Sequence, residues 1–130
     1  MQFSSCRFAD VVVAAPVGRI DHANAAPFEE ALRPLLAQSA DAKRALILDF
    51  AGVEYISSVG LRVLMTAAKQ ARAHDSKLAI AGLQPVVSEI FAISRFDRVL
   101  DVHSSVAGAL AQLSAPALEA FNAAKGHLAT

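Results

Sequence analysis

The sequence predicts an α/β fold in which one mainly parallel sheet of about five strands is covered by about four helices. Short apolar runs typical of buried strands alternate with segments whose apolar residues recur every three or four positions. The central run at residues 46–48 is apolar throughout, as expected of a strand covered on both faces. This alternation is typical of βα units joined by right-handed crossovers.

Composition and charge exclude several classes of protein. The 130 residues carry 12 basic and 12 acidic side chains, so no basic excess indicates a nucleic-acid partner. Cys6 is the single cysteine and cannot form an internal disulfide, which favours a reducing compartment. The first residues lack a signal-peptide pattern, and apolar stretches such as 11–17 are far shorter than the ~20 residues of a membrane span. We therefore expect a cytoplasmic protein without direct membrane insertion.

The N-terminal part predicts two adjacent strands. Residues 2–8 alternate weakly between apolar and polar, and a second strand rich in β-branched residues begins at Val11. The short turn at residues 9 and 10 favours an antiparallel pair. Pro16 cannot donate to a strand ladder, which indicates a bulge or an edge position.

The first helix and the central strand follow. Asn24 is expected to cap a helix whose apolar face includes Phe28 and Leu32. Pro34 falls inside this pattern and predicts a kink or an earlier end of the helix. A polar connection at 38–43 then leads to the central strand at 44–49.

The central helix is expected to begin at Ser57 or Ser58 and to end near Ala73. Its apolar face follows helical spacing and comprises Leu61, Leu64, Met65, Ala68 and Ala71. A serine at the helix start can accept a hydrogen bond from a free backbone N–H. The first turn also carries partial positive charge and unpaired N–H groups, so it would tolerate a phosphate.

The C-terminal half predicts two further strands, at 77–82 and 99–102, and two helices. Pro85 suits the start of the first helix, and Ser104 or Ser105 caps the second. We divide the chain into a domain at 1–113 and a tail at 114–130. The tail is either a helix, packed on the body or on another subunit, or a frayed terminus.

No motif indicates catalysis. Residues 56–60 lack the first glycine of a nucleophile elbow, and no phosphate-binding glycine loop occurs. The histidines are scattered without metal-ligand spacing. We therefore expect no enzyme activity, cofactor or metal, and a hydrolase that uses Ser58 is the less favoured alternative.

Three stretches of the chain resemble the STAS family, and within it the single-domain bacterial anti-sigma factor antagonists. In chain order these stretches are residues 18–21, 48–64 and 81–99. The resemblance implies a switch by exchange of partners. The unphosphorylated protein binds an anti-sigma factor that is often a serine kinase, phosphorylation of a serine breaks the complex, and a serine phosphatase restores it.

The resemblance also assigns residues to this switch. The phosphate acceptor matches Ser58, and Ser57, which stands where family members often carry an aspartate, is the alternative acceptor. The residues that it places at the partner-binding surface are Asp21, His22, Ser57, Ser58, Val59, Gly60 and Arg62. The loss of the aspartate leaves a second function open, an unswitched STAS scaffold in a transporter or sensor complex.

Simpler interpretations exist for three of the residues near this helix start. Without the resemblance, Ser58 is explained as a helix cap and Arg62 as part of a solvated face. Asp49 is explained as a hydrogen-bond acceptor that anchors its own loop. The structure can separate these interpretations by where each side chain lies.

Overall fold

The computed structural model describes residues 2–41 and 45–129. Residues 42 and 43 of the predicted connection and residue 44 of the predicted central strand lie outside them. Six strands and five helices lie within these two ranges. The strands are β1 (Gln2–Phe8), β2 (Val11–Ile20), β3 (Ala45–Asp49), β4 (Val53–Ile56), β5 (Lys77–Ala81) and β6 (Asp101–His103). The helices are α1 (Ala25–Asp41), α2 (Ser58–Ala73), α3 (Pro85–Ser94), α4 (Val106–Leu113) and α5 (Ala115–Ala129), with a 3₁₀ turn at Phe96–Arg98.

The sheet has the strand order β1-β2-β3-β5-β6, and β4 pairs with β2 beside this path. β1 and β2 are antiparallel, with Gln2 opposite Val17 and Phe8 opposite Val11. The other strand pairs are parallel. The predicted α/β class, with a mainly parallel sheet and an N-terminal antiparallel pair, is confirmed.

β4 is the strand that the sequence pattern did not predict. β2 is long enough to pair twice: residues 11–14 pair with β3, and residues 18–20 pair with β4. Pro16 lies between these two pairings in an interior strand, so an edge position is wrong, and the register shifts nearby, between Gly18 and Arg19. Gly18 has φ +103°, a backbone conformation that suits glycine.

The core lies on both faces of the sheet. α1, α2 and α3 cover one face, where Leu46 and Leu48 of β3 are fully buried. α4 and α5 cover the other face, where Ile47 packs with Leu110 and Ala117. Because neighbouring strand residues point to opposite faces, an uninterrupted apolar run is what a doubly covered strand needs. Among the described residues, no helix is both long and apolar enough to cross a bilayer.

The first helix begins directly after Asn24, as predicted, but the side chain of Asn24 bonds to the preceding loop and the helix ends later than expected. The Asn24 side chain accepts a hydrogen bond from the Asp21 N–H at 2.8 Å and donates to the Arg19 carbonyl, so it orders the preceding loop. α1 continues through Pro34 to Asp41, so the predicted earlier end and the start of the polar connection at residue 38 are wrong. The Pro34 side chain is exposed.

Two boundaries in the C-terminal half also differ. β6 begins at Asp101 rather than at residue 99, because residues 96–98 form the 3₁₀ turn. Of the two predicted caps for α4, Ser105 is the one whose Oγ accepts from the Gly108 N–H, at 3.0 Å.

The tail forms α5, which packs against the body of the domain. Ser114 Oγ donates to Asp10 Oδ1 at 2.5 Å, Ala117 is fully buried, and the Phe121 ring meets the Phe8 ring edge-on with centroids 5.4 Å apart. The helix runs past Gly126 to Ala129. α5 therefore belongs to the core on the face of the sheet that is also covered by α4.

Replacing Phe121 with alanine should lower the free energy of unfolding by about 2 kcal/mol, below the cost for a fully buried ring because Phe121 is half-buried. Chemical denaturation measures this loss. The exposed neighbour Asn122→Ala is the control and should stay within about 0.5 kcal/mol of the wild type. Equal stability of Phe121→Ala and the wild type would show that α5 does not contribute to the core.

Candidate functional site

The site lies where two neighbouring parallel strands end. β2 ends at Ile20 and β4 ends at Ile56, and these two residues are partners in the sheet. The Ser57 N–H donates to the Ile20 carbonyl at 2.8 Å, which extends the pairing beyond β4. The loop that follows β2 and carries Asp21 is therefore held beside the start of α2.

The two adjacent serines at the start of α2 have different surroundings. Ser57 is extended, with φ −88° and ψ 173°, and its Oγ accepts from the Gly60 N–H at 3.3 Å. Its extended backbone and this bond make Ser57 the N-cap of α2, and its side chain is half-buried. Ser58 is the first residue of the helix, is exposed, and its hydroxyl makes no hydrogen bond to any described residue. The capping interpretation of Ser58 is wrong, and capping belongs to Ser57.

This difference predicts opposite sensitivities to alanine. Ser57→Ala should lower the free energy of unfolding by about 1 kcal/mol, since the Gly60 N–H loses its acceptor. Ser58→Ala should change it by less than about 0.5 kcal/mol, since no intramolecular bond is lost. Thermal or urea unfolding of the two variants side by side measures both values. A larger loss for Ser58→Ala than for Ser57→Ala would contradict the assignment of the cap.

The loop after β2 uses part of its polar side chains to hold its own shape. Asp21 is half-buried, its Oδ1 accepts from the Ala23 N–H at 3.0 Å, and its Oδ2 lies 3.9 Å from Arg19 Nε. The Arg19 guanidinium carbon lies 4.5 Å from the centre of the Tyr55 ring, a cation–π contact. His22 is exposed. Asp21 and His22 thus stand at the surface on an ordered loop.

The other predicted contact residues lie in the first two turns of α2, but they do not share one environment. Val59 is 39% exposed, and Arg62 is exposed. Gly60 is buried, and a Cβ at this position would lie 2.7 Å from Ile20 Cγ2 and 2.8 Å from Ile56 Cγ1. Gly60 allows α2 to approach the ends of β2 and β4, so we leave it out of the contact surface.

A groove beside Val59 adds residues that the sequence pattern did not identify. It has a volume of about 280 Å³ and lies between α1 and α2. Its lining residues are Ala25, Ala26, Glu29, Glu30, Arg33, Val59 and Val63. Arg33 Nη2 lies 3.6 Å from Glu29 Oε1, an i,i+4 pair on the exposed side of α1. In the sequence, this pair of opposite charges could have indicated that this face of α1 is exposed. Its position beside Val59 depends on how α1 packs against α2.

The neighbouring loops are tied to each other by side chains. Asp49 Oδ1 accepts from the Ala51 N–H at 3.0 Å, which confirms its interpretation as a loop anchor. Gln84 Nε2, just before α3, donates to the Ala51 carbonyl at 2.7 Å. The loops that follow β3 and β5 are therefore tied to each other.

Among the described residues of the site, the Ser58 hydroxyl is the group that is exposed for a reaction. A nucleophilic serine needs a base in hydrogen-bond contact, and no described side chain makes such a contact with Ser58. Within residues 2–41 and 45–129, no three or more His, Cys, Asp or Glu side chains gather as metal ligands would. The hydroxyl is instead well placed to accept a group transferred by another macromolecule, on a helix start that favours negative charge.

Comparison with known proteins gives consistent results. The STAS domain model matches residues 7–109. A candidate anti-sigma factor antagonist of Bordetella bronchiseptica, BtrV, is 34% identical over 105 residues, which cover 81% of this chain and 88% of that protein. The fold is similar to that of a candidate anti-sigma factor antagonist from Thermotoga maritima, with a TM-score of 0.77, 20% identity, and coverage of 85% of this chain and 93% of that one.

A third similar structure is a sulfate transporter family protein from Wolinella succinogenes. Its TM-score is 0.68 at 16% identity, with 88% of this chain and 89% of that chain covered. At this level of identity, the likeness concerns the fold alone.

Proposed function

Because the chain belongs to the STAS domain family, we propose that it is an anti-sigma factor antagonist controlled by phosphorylation of Ser58. The observation that carries the proposal is the difference between the two serines at the start of α2. The Ser57 hydroxyl accepts from the Gly60 N–H, whereas the Ser58 hydroxyl is exposed and has no hydrogen-bond partner in the described part of the chain. The capping bond that forms the helix start therefore does not use the hydroxyl that a kinase would modify.

In the unphosphorylated state the site binds an anti-sigma factor, which is itself the serine kinase. The contact surface combines apolar area at Val59 with polar groups at Asp21, His22, Ser58 and Arg62. Apolar area supplies binding energy, while the polar groups fix orientation and exclude partners that leave them unpaired. Ser58 lies among these residues, so a change of its charge acts inside the interface.

Phosphorylation adds about −1.5 to −2 charges at Ser58. The free chain accommodates this charge, because the start of α2 offers unpaired N–H groups and partial positive charge. A partner surface fitted to a neutral hydroxyl would have to bury the phosphate, which is unfavourable without new ion pairs. One modification thus releases the partner without unfolding the domain.

The remaining components follow from the same proposal. A serine phosphatase removes the phosphate and restores binding, the chain itself is a regulator rather than an enzyme, and the exchange takes place in the cytoplasm. No cofactor is required, since the group that is transferred comes from the ATP bound to the kinase.

The proposal is tested by forming and dissolving the complex in one sample. Unmodified chain is mixed with the anti-sigma factor from the same organism, and size-exclusion chromatography measures the complex before and after ATP is added. We expect a complex that dissociates on ATP addition for the wild type and persists with Ser58→Ala. Persistence of the wild-type complex, although the chain has become phosphorylated, would overturn the proposal.

A second function, an unswitched scaffold in a transporter or sensor complex, is favoured by one feature. Position 57, directly before the proposed acceptor, is a serine where family members often carry an aspartate. Affinity purification separates the two functions. A membrane complex that is retained equally by the wild type and Ser58→Glu would support the scaffold.

A further inference from the structure

Three arginines, Arg19, Arg33 and Arg62, lie on the elements that meet at the start of α2, and Arg19 and Arg33 already contact other side chains. Arg19 already lies over the Tyr55 ring at 4.5 Å and 3.9 Å from Asp21 Oδ2. Arg62 is exposed and forms no ion pair with any residue in the described ranges. Of these three arginines, Arg62 is therefore the one whose guanidinium has no partner among the described residues.

The spacing of Ser58 and Arg62 suits such a pair. Residues four apart on a helix are neighbours on one face, with about 5–6 Å between their Cβ atoms. An anion that precedes a cation at this spacing is the more favourable order. Ser57 is the extended N-cap and lies outside the helix, and the residue four positions after it, Leu61, is buried and carries no charge. The geometry thus distinguishes the two serines.

We propose that Arg62 is the internal counter-ion of phosphorylated Ser58, so that phosphorylation also withdraws Arg62 from the partner-binding surface. This inference rests on the proposed function, since it assumes a phosphate at Ser58. Its consequence is a switch with two effects: the interface receives a phosphate, and it loses the cation that an acidic group of the partner would contact. The guanidinium fork pairs with phosphate oxygens through two parallel hydrogen bonds.

Other charged groups lie around the start of α2, and their influence on a phosphate at Ser58 must be separated from that of Arg62. Glu29, Glu30 and Arg33 of α1 line the groove beside Val59, and Asp21 lies on the loop after β2. The carboxylates would oppose full ionisation of a phosphate, and Arg33 is already close to Glu29. These groups are the same in every variant below, so a difference between variants reports on the residue that was changed.

The test installs phosphoserine at position 58 during translation, which needs no kinase. Phosphorus NMR then follows the second ionisation of the phosphate with pH in the wild type, Arg62→Gln and Lys69→Gln. Lys69 is exposed on the same helix but 11 positions away from Ser58. We expect the phosphate pKa to be lower in the wild type and in Lys69→Gln than in Arg62→Gln. At a pH near that pKa, the ratio of dianion to monoanion should be about twofold higher in the first two.

A second arm places phosphoserine at position 57, where Arg62→Gln should leave the ionisation unchanged. Equal ionisation at position 58 in the wild type and Arg62→Gln would overturn the inference. The inference would also be overturned if Arg62→Gln shifted the ionisation of a phosphate at position 57 as much as at position 58. Arg62 would then act through its general electrostatic field and not through a specific ion pair. If the pair forms but the kinase never modifies Ser58, the proposed function fails and the Arg62 assignment stands.

Discussion

Replacing Ser58 with glutamate should weaken binding to the anti-sigma factor by about 100-fold, or about 2.7 kcal/mol. The carboxylate brings a charge to the position of an exposed hydroxyl that has no hydrogen-bond partner among the described residues, and in the proposed interface this charge must be desolvated. The fold should persist, because a carboxylate in the first turn of a helix is electrostatically favourable. Isothermal titration calorimetry measures the affinity, and circular dichroism checks the fold.

Two controls make this prediction specific. Gln112→Glu adds the same charge on α4, on the opposite face of the sheet, and should leave the affinity unchanged. Ser58→Ala removes the hydroxyl without adding charge and should retain binding within about tenfold. Wild-type affinity for Ser58→Glu, or equal losses for Ser58→Glu and Gln112→Glu, would contradict a role of Ser58 in the interface.

The second large effect concerns stability. Replacing Gly60 with alanine should lower the free energy of unfolding by about 2 kcal/mol, although alanine favours helices over glycine by about 1 kcal/mol. The added Cβ would lie 2.7 Å from Ile20 Cγ2 and 2.8 Å from Ile56 Cγ1. Both isoleucines are almost fully buried, so neither can move without disturbing the core. Urea denaturation measures the loss.

The chain contains a matched position for this experiment. Gly108 of α4 follows Ser105 as Gly60 follows Ser57, and in both pairs the serine Oγ accepts from the glycine N–H. A Cβ at Gly108 would meet only the Ser105 Oγ, at 3.2 Å. Gly108→Ala should therefore not lower the free energy of unfolding, and the helix propensity of alanine should raise it by up to about 1 kcal/mol. A similar loss at both glycines would show that the capping motif, rather than the packing on β2 and β4, makes Gly60 necessary.

Much of the fold follows from local patterns, and the differences have tertiary causes. The burial of β3 on both faces and the extent of α2 were predicted because apolar periodicity is a local property. β4 was missed because it has four residues and because its partner, residues 18–20 of β2, is distant in sequence. The continuation of α1 through Pro34 was also missed, since local propensity gives way when a long helix is held by its packing.

At the site, the sequence identified the pair of serines but not their separate environments. Either serine could begin the helix, and only the extended backbone of Ser57 decides which one caps it. Gly60 was grouped with the contact residues because it is adjacent to them, and its burial depends on how closely α2 approaches Ile20 and Ile56. The groove lined by Glu29 and Glu30 could not be predicted, since it exists only where α1 packs beside Val59.

The measurement that tests the central claim most directly is the position of the phosphate. The chain is incubated with the anti-sigma factor kinase and ATP, and the peptide that contains residues 57 and 58 is sequenced by tandem mass spectrometry. Ser57→Ala and Ser58→Ala are treated in parallel. We predict phosphate at Ser58 in the wild type and in Ser57→Ala, and none at either position in Ser58→Ala. A phosphorylated chain that carries its phosphate at Ser57, or outside this peptide, would contradict the account.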